Sequence, residues 1–367
     1  MEKNQPPLII AELGTSHGGD PGKALELIAA AAESGADCVK CQIIYAAEIL
    51  HPKTGTVPLP GGEIPLYEAF ARLERGPDFY GAMKEEAENR GLLFLATPFG
   101  LTSAAVLRDL GPKAVKIASP ELNYTALLEE TASWGVPLYL SCGVATLGDI
   151  EEALSTVSAS HPAEGSPPVT LLHCVTAYPA PAEDYNLRVL PHLRGIFGVP
   201  LGVSDHSADP ALVPVLAAVL GAAAIEKHLC LSRSGPGLDD PVALDPGDFA
   251  RMCRRVRSAA AGAGERGRGI IGELEEEFGP ELVEKTLGTG RKVLAPSEKA
   301  NYGRTNRSIH ALRDIAAGEI ISRDMIGILR TEKVLRPGLP PRWERLIAGR
   351  RARHPIPAGE GIRFEDI

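Results

Sequence analysis

The sequence has no apolar run near the roughly 20 residues that a bilayer span requires, so nothing in it reads as a membrane helix. It starts Met1-Glu2-Lys3-Asn4 without an apolar signal core, and we expect a cytoplasmic protein. It has no excess of positive charge: 38 Lys and Arg stand against 47 Asp and Glu, for a net charge of −9. That argues against general nucleic-acid binding, which needs a basic footprint, and against an anionic membrane surface. The Gly-x-Gly-x-x-Gly turn of a dinucleotide fold is missing after the first apolar run. Gly22-Lys23 is no phosphate loop, because His17 stands where its first glycine belongs and Ala24 replaces the Ser or Thr. Cysteine is sparse, six in 367 residues, and only Cys38 and Cys41 have metal-like spacing. Positions three apart on a strand face opposite sides, so these read as buried thiols, and no disulfide is expected.

What is present is a soluble-type composition, 44% hydrophobic, with a regular alternation. Short apolar runs begin near Leu8, Asp37, Leu92, Ala114, Pro137, Val169, Val199 and Gly221. Helical patterns separate them, for example over 22–34, 80–90, 102–110, 124–133 and 147–157. Eight strands alternating with helices predict an α/β (β/α)8 TIM barrel over residues 1–260. Residues 52–77, rich in Gly and Pro, read as an irregular insertion able to form a lid. Residues 261–304 read as a linker. Residues 305–367 form a small second unit in which Asp314-Ile315-Ala316-Ala317-Gly318 is echoed by His354-Pro355-Ile356-Pro357-Ala358-Gly359. Paired short β segments of this kind suggest a β-clip module. At about 60 residues it is near the lower limit for an independent core, so it should dock on the barrel.

Barrel active sites lie at the carboxyl ends of the strands. The runs end in Glu12; Lys40 and Gln42; Thr97; Lys116, Ser119 and Glu121; Ser141; His173; Ser204 and His206; and Glu226 and His228. A structural barrel needs few ionisable groups there, so the ring as a whole points to chemistry. Lys40 and Gln42 share a strand face, whereas Lys116 and Ser119 differ in parity, so the turn after Ala118 must redirect one of them. Two lysines with several hydroxyls suit a phosphate and a carboxylate. Two histidines on adjacent strands, without thiolates, suit a divalent metal with open positions: Mn²⁺ first, with Mg²⁺ or Co²⁺ as alternatives. Glu12 and Glu121 are candidates for proton transfer.

These residues sit in an ordered set of motifs. They are Ile10-Ala11-Glu12-Leu13-Gly14 with His17-Gly18-Gly19-Asp20, Gly35-Ala36-Asp37-Cys38-Val39-Lys40-Cys41-Gln42, and Thr97-Pro98-Phe99. Lys116-Ile117-Ala118-Ser119, Tyr178-Pro179-Ala180-Pro181, Ser204-Asp205-His206-Ser207, Ile225-Glu226-Lys227-His228 and Pro236-Gly237-Leu238-Asp239 follow. Together they resemble the sialic acid (N-acetylneuraminate) synthase family with its C-terminal SAF, or antifreeze-like, domain, nearest its spore-coat-polysaccharide type. The resemblance implies condensation of phosphoenolpyruvate with an N-acylated amino-sugar aldehyde, N-acetylmannosamine or its 6-phosphate, to a nonulosonic acid. It implies His206 and His228 as Mn²⁺ ligands. Lys40, Thr97, Lys116, Ser119, Ser141, Tyr178 and Ser204 would bind phosphoenolpyruvate, and Glu121 would move a proton. Glu12, Gln42, Glu226 and Asp239 would contact the sugar, as would Arg330, reaching a partner subunit in a domain-swapped homodimer. Asp240 stands where the family has a histidine and Ser16 where it often has Asn, which leaves the sugar open. Legionaminic-type or pseudaminic-type products are the alternatives. A non-catalytic carbohydrate-binding or ice-binding protein is disfavoured, because it would not preserve the lysine and histidine ring.

Overall fold

A computed structural model describes residues 6–59, 62–160, 168–235, 237–260 and 265–367. Its strands, in chain order, are β1 (Leu8–Glu12), β2 (Cys38–Ile43), β3 (Thr56–Leu59), β4 (Gly62–Pro65), β5 (Leu93–Pro98) and β6 (Val115–Ile117). They continue with β7 (Leu138–Ser141), β8 (Val169–Cys174), β9 (Leu201–Asp205), β10 (Ala224–His228), β11 (Arg307–Ala311) and β12 (Ile326–Arg330). Eight of them make one parallel sheet in the order β5-β2-β1-β10-β9-β8-β7-β6. Its two end strands, β5 and β6, lie side by side, so the sheet curls into the expected, nearly closed barrel.

Parity decides which side chains face the axis. Ile10, Cys38, Leu95, Ala114, Leu172 and Ala224 form a small apolar cluster of their own inside the barrel. Their neighbours of opposite parity, such as Ile9, Val39, Cys41, Leu171, Val203 and Ile225, join the larger core under the helices. Gly202 fits this interior because a Cβ there would lie 2.3 Å from the Ala224 carbonyl oxygen and 2.8 Å from Leu172. The helices follow sequence rules. In Pro21–Glu33, Asp20 caps the first turn by accepting from Lys23 N (2.8 Å), and Ala24, Leu27, Ile28 and Ala31 form the buried stripe.

Two segments differ from expectation. Residues 52–77 are ordered in part as the antiparallel hairpin β3–β4 and a helix, Leu66–Ala71, because cross-strand pairing and burial of Leu66 and Ala69 give this Gly/Pro-rich stretch a core. Nor is 261–304 a linker throughout. Helices Glu265–Phe278 and Pro280–Leu287 bury Leu274 and Val283, which leaves only 288–306 as the connecting strap. The second unit is the expected small β module: β11 and β12 pair antiparallel, and the two echoed segments meet through an Ile315–Ile356 bridge. All six cysteines are buried and free. Among the described residues, no helix is long and apolar enough to cross a membrane.

A buried ion cluster docks this module on the barrel. Glu121, fully buried in the turn after β6, accepts from Arg330 Nε and Nη2 (2.9 and 2.7 Å to Oε1, 2.9 Å to Oε2) and from Arg307 Nε (3.0 Å). Arg307 also donates to the carbonyls of Glu48, Phe99 and Ile328. Removing one partner strands the remaining buried charges, at a cost of about 3–5 kcal/mol. Glu121→Ala should therefore lower the denaturation midpoint and open residues 307–367 to limited proteolysis; a wild-type midpoint and cleavage pattern would show that the cluster does not hold the module.

Three buried histidines outside the barrel cavity weaken the fold in acid. Burial pushes His17 down to about 4, with Arg75 adding to it, His173 to about 3 and His310 to about 4. From about pH 6.5 down to these values the unfolded chain binds protons that the folded chain refuses. Stability should thus fall with falling pH in that window, by up to about 1.4 kcal/mol per pH unit for each histidine. A urea midpoint unchanged between pH 7 and pH 5 would contradict this.

Candidate active site

The inward parity of the strands continues upward from the apolar plug into a polar ring. Glu12 pairs in register with both Lys40 and His228, Gln42 with Thr97, Glu226 with Ser204, and Ser204 with Cys174. The parallel ladder therefore sets inward side chains of neighbouring strands side by side. Apart from Thr97, these groups line a cavity of about 320 Å³ together with Lys116, Ser119, Ser141, Tyr178, His206 and Asp239. The 3₁₀ turn Ser119–Glu121 makes the required redirection, so Ser119 joins Lys116 despite its odd offset.

Four charges dominate the floor. Lys40 Nζ lies 2.9 Å from Glu12 Oε2 and 3.3 Å from Glu226 Oε1, and Lys116 Nζ lies 3.7 Å from the same Glu226 oxygen. Ser204 Oγ donates to Glu226 Oε1 (2.9 Å) and Gln42 Nε2 to Glu12 Oε1 (2.7 Å). Burial alone would raise Glu226, but Lys116 and Lys40 outweigh it and hold its carboxyl at about 2. Burial also raises Glu12, and there Lys40 offsets it only in part, with Glu226 adding to the rise. Two neighbouring carboxyls are thus driven apart, Glu226 down and Glu12 up. Burial lowers Lys116, whereas Glu12 and Glu226 overcome burial at Lys40 and raise it.

Buried polar atoms without a protein partner cluster here: Thr97 Oγ1, Ser141 Oγ, Thr176 Oγ1, Glu226 Oε2 and His228 Nδ1. Buried polar groups are nearly always paired, so these mark where a polar ligand belongs. The His206 and His228 rings lie 5.6 Å apart between centroids. His206 Nδ1 is fixed by the Val175 carbonyl (2.9 Å), while Tyr178 stacks on the ring (4.2 Å, 27°) with its hydroxyl 3.1 Å from Nε2. This side-chain pair could hold one divalent ion. Among the described residues no group of three or more His, Cys, Asp or Glu is gathered for a metal, so solvent or substrate oxygens would complete the shell. Asp239 is anchored on the loop after β1: its Oδ2 accepts from Thr15 N (2.9 Å) and Oγ1 (2.8 Å). Gly14, at φ +48°, is needed there, since a Cβ would lie 2.5 Å from Asp239 Oδ2. Asp240 turns away and accepts from Gly237 N (2.8 Å), and Pro236 lies outside the described residues.

One expectation needs correction. Glu121 does not line the cavity: both its oxygens are taken by Arg330 and one also by Arg307, which leaves no free carboxylate for proton transfer. Arg330 lines the cavity of its own chain, with its guanidinium over Phe99 (5.3 Å). His173, at odd parity on β8, points outward to the Tyr185 carbonyl (2.6 Å). Strand alternation already assigned the inward place to Cys174. Sequence reasoning missed Thr15, Thr176, Asn301, Glu332 and Lys333 in the lining. Alternation past Cys174 would have flagged Thr176; the last three come from the strap and the β module, which no local pattern ties to a barrel rim.

Comparison with known proteins agrees with this layout. The profile of the NeuB family matches residues 27–268 and that of the SAF domain residues 306–367. The spore coat polysaccharide biosynthesis protein SpsE of Bacillus subtilis is 34% identical over 100% of this chain and 94% of its own. Its crystal structure superposes with a TM-score of 0.80, covering 100% of this chain and 96% of that one at 33% identity. An N,N'-diacetyllegionaminic acid synthase of Legionella pneumophila is 32% identical over 98% of this chain and 94% of its own. A pseudaminic acid synthase of Helicobacter pylori is 31% identical over 99% and 98%. The barrel with its small β module is thus a fold shared with SpsE, and the chain belongs to the NeuB family, with an SAF domain at its C-terminal end.

Proposed function

We propose that the protein condenses phosphoenolpyruvate with an N-acylated amino-sugar aldehyde to give a nonulosonic acid and inorganic phosphate. The observation that supports this most is the inward ring of Lys40, Lys116, Glu12 and Glu226, which shares one cavity with the unpartnered hydroxyls of Ser141 and Thr176 and the His206–His228 pair. Lys40, Lys116 and the hydroxyls hold the phosphate and carboxylate through charge-assisted hydrogen bonds. The enol carbon bonds to the aldehyde carbon, and the aldehyde oxygen takes a proton from Glu12, whose carboxyl burial raises. Water adds to the phosphate-bearing carbon and returns one proton to Glu12; the C–O bond then breaks, phosphate leaves with the second proton, and a 2-keto acid remains. Glu226 stays ionised and keeps both lysines and Ser204 aligned. A divalent ion held by His206 and His228, Mn²⁺ in our reading, with Mg²⁺ or Co²⁺ as alternatives, would polarise the aldehyde as a Lewis acid. Holding both reactants in one oriented pair supplies several kcal/mol more.

The sugar end lies toward Asp239, Gln42 and the SAF residues. Glu332 sits there at φ +56°, unusual for a side chain larger than glycine, with its carbonyl held by Arg304 Nε (2.7 Å) and its N–H donating to the Arg304 carbonyl (3.1 Å). Its carboxylate lines the cavity, burial raises it, and it suits the N–H and O–H donors of an amino sugar. N-acetylmannosamine or its 6-phosphate is the first candidate. The precursors of legionaminic-type or pseudaminic-type acids are the second, favoured by the relatives named for those products. A domain-swapped homodimer belongs to the proposal on the resemblance alone; Arg330, Glu332 and Lys333 line the cavity of their own chain.

Phosphate release from phosphoenolpyruvate with Mn²⁺ should require one sugar from a panel of N-acylated aldoses, and His228→Ala should abolish it. Release by the variant at the wild-type rate would refute the metal pair, and silence of the wild type with every aldose would refute the reaction. Glu332→Ala should raise the sugar KM severalfold while the phosphoenolpyruvate KM stays put; the reverse pattern would remove Glu332 from the sugar end.

A further inference from the structure

One buried carboxylate belongs to neither the catalytic ring nor the docking cluster. Glu298, on the strap between barrel and SAF domain, is 1% exposed. It makes no ion pair among the described residues. Instead its Oε2 accepts from Val144 N (3.0 Å) and Thr176 N (3.0 Å), and its Oε1 from Ala295 N (3.1 Å). The first two donors belong to the loops that follow β7 and β8. One carboxylate therefore ties together two barrel loops and the strap.

Those two loops carry hydroxyls of the cavity. Ser141 ends β7, and Gly143 N donates to Ser119 Oγ (3.0 Å). A Cβ on Gly143 would lie 2.3 Å from Thr176 Oγ1 and 3.0 Å from Ser119 Oγ, so the loops and hydroxyls close on one point. Val144, next in the chain, is held at φ +41°. A β-branched residue persists in that region only where its surroundings fix it. Glu298 fixes its N–H, and Asn306 Nδ2 fixes its carbonyl (3.0 Å). On the second loop Asn301 Nδ2 donates to the Thr176 carbonyl (3.1 Å), and beside Ser141 Lys292 Nζ donates to the Cys142 carbonyl (3.0 Å). Lys292, Glu298, Asn301 and Asn306 all come from the strap.

We infer that Glu298 is a positioning residue for the anion cradle: it sets the spacing of Ser119, Ser141 and Thr176 by holding the Val144 and Thr176 amides, and so couples phosphate binding to the seating of the SAF domain. The naming of the anion as the phosphate of phosphoenolpyruvate rests on the proposed function. The cradle itself rests on the geometry. Glutamine in place of Glu298 keeps the shape but turns an N–H₂ group toward backbone donors, so at least one amide loses its acceptor.

The test uses the full chain, as wild type, Glu298→Gln and Asn306→Ala. Two readouts run in parallel: KM for phosphoenolpyruvate and for the sugar, and binding of inorganic phosphate by calorimetry. Glu298→Gln should raise the phosphoenolpyruvate KM about tenfold or more, move the sugar KM less than twofold, and weaken phosphate binding to the same degree. Asn306→Ala should shift both in the same direction by a smaller factor, and it carries the test should the first variant not fold. A folded Glu298→Gln with unchanged phosphate affinity, or with both KM values raised equally, would overturn the inference. A wild type that binds phosphate but does not consume phosphoenolpyruvate would instead sink the reaction assignment, and loss of phosphate binding in Glu298→Gln would still support the cradle.

Discussion

Four charges buried at the mouth of a barrel have to balance one another, because no water screens them. Glu226 is the pivot: it shares one oxygen among Lys40, Lys116 and Ser204. Its neighbour Glu12 is left with only part of Lys40, so one carboxyl is held down and the other up. Lys40 and Lys116 line a cavity whose Ser141 and Thr176 hydroxyls lack partners. Such a floor is stable without a ligand and still attracts an anion. Everything else in the structure places, covers or steadies that arrangement.

Placement is the work of the barrel. Two-residue alternation puts Glu12, Lys40, Glu226 and Ser204 on the same inward face as the apolar plug of Ile10, Leu95, Leu172 and Ala224, with Glu12 beside Lys40 and Glu226 beside Ser204 in the parallel ladder. Charges of opposite parity are used elsewhere: Lys227 and Asp205 pair with each other at 2.6 Å, outside the ring. Cover comes from the SAF domain, seated by the Glu121, Arg307 and Arg330 cluster. The same Arg330 that seats the domain also lines the cavity, so docking and site completion are one event. The strap then fixes the rim loops from outside through Glu298, Asn301 and Asn306.

Much of this was legible in the chain. Eight apolar runs, each ending in a polar residue, specify a barrel with its chemistry at one end, because strand periodicity is local and barrel sites follow strand ends. Lys40, Gln42, Thr97, Lys116, Ser141, Ser204, Glu226 and His228 each lie where that periodicity puts them. Glu121 was misread for a physical reason. Its position after Lys116 is right for the rim, but its fate depends on two arginines about 190 and 210 residues further on, and no local rule pairs them. His173 was misread for the opposite reason, since the alternation that excludes it was already visible beside Cys174.

The sequence by itself determined the barrel, the inward ring and the two histidines on neighbouring strands, because these follow from side-chain alternation within single strands. Tertiary structure alone decided which carboxylates are free and which are spent on holding the molecule together. It decided that Arg330, Glu332 and Lys333 come to the cavity of their own chain, and that the strap holds Val144 and Thr176 in place. The reason is that a carboxylate's role is set by the charges and amide groups packed against it, and those arrive from segments far away in the chain.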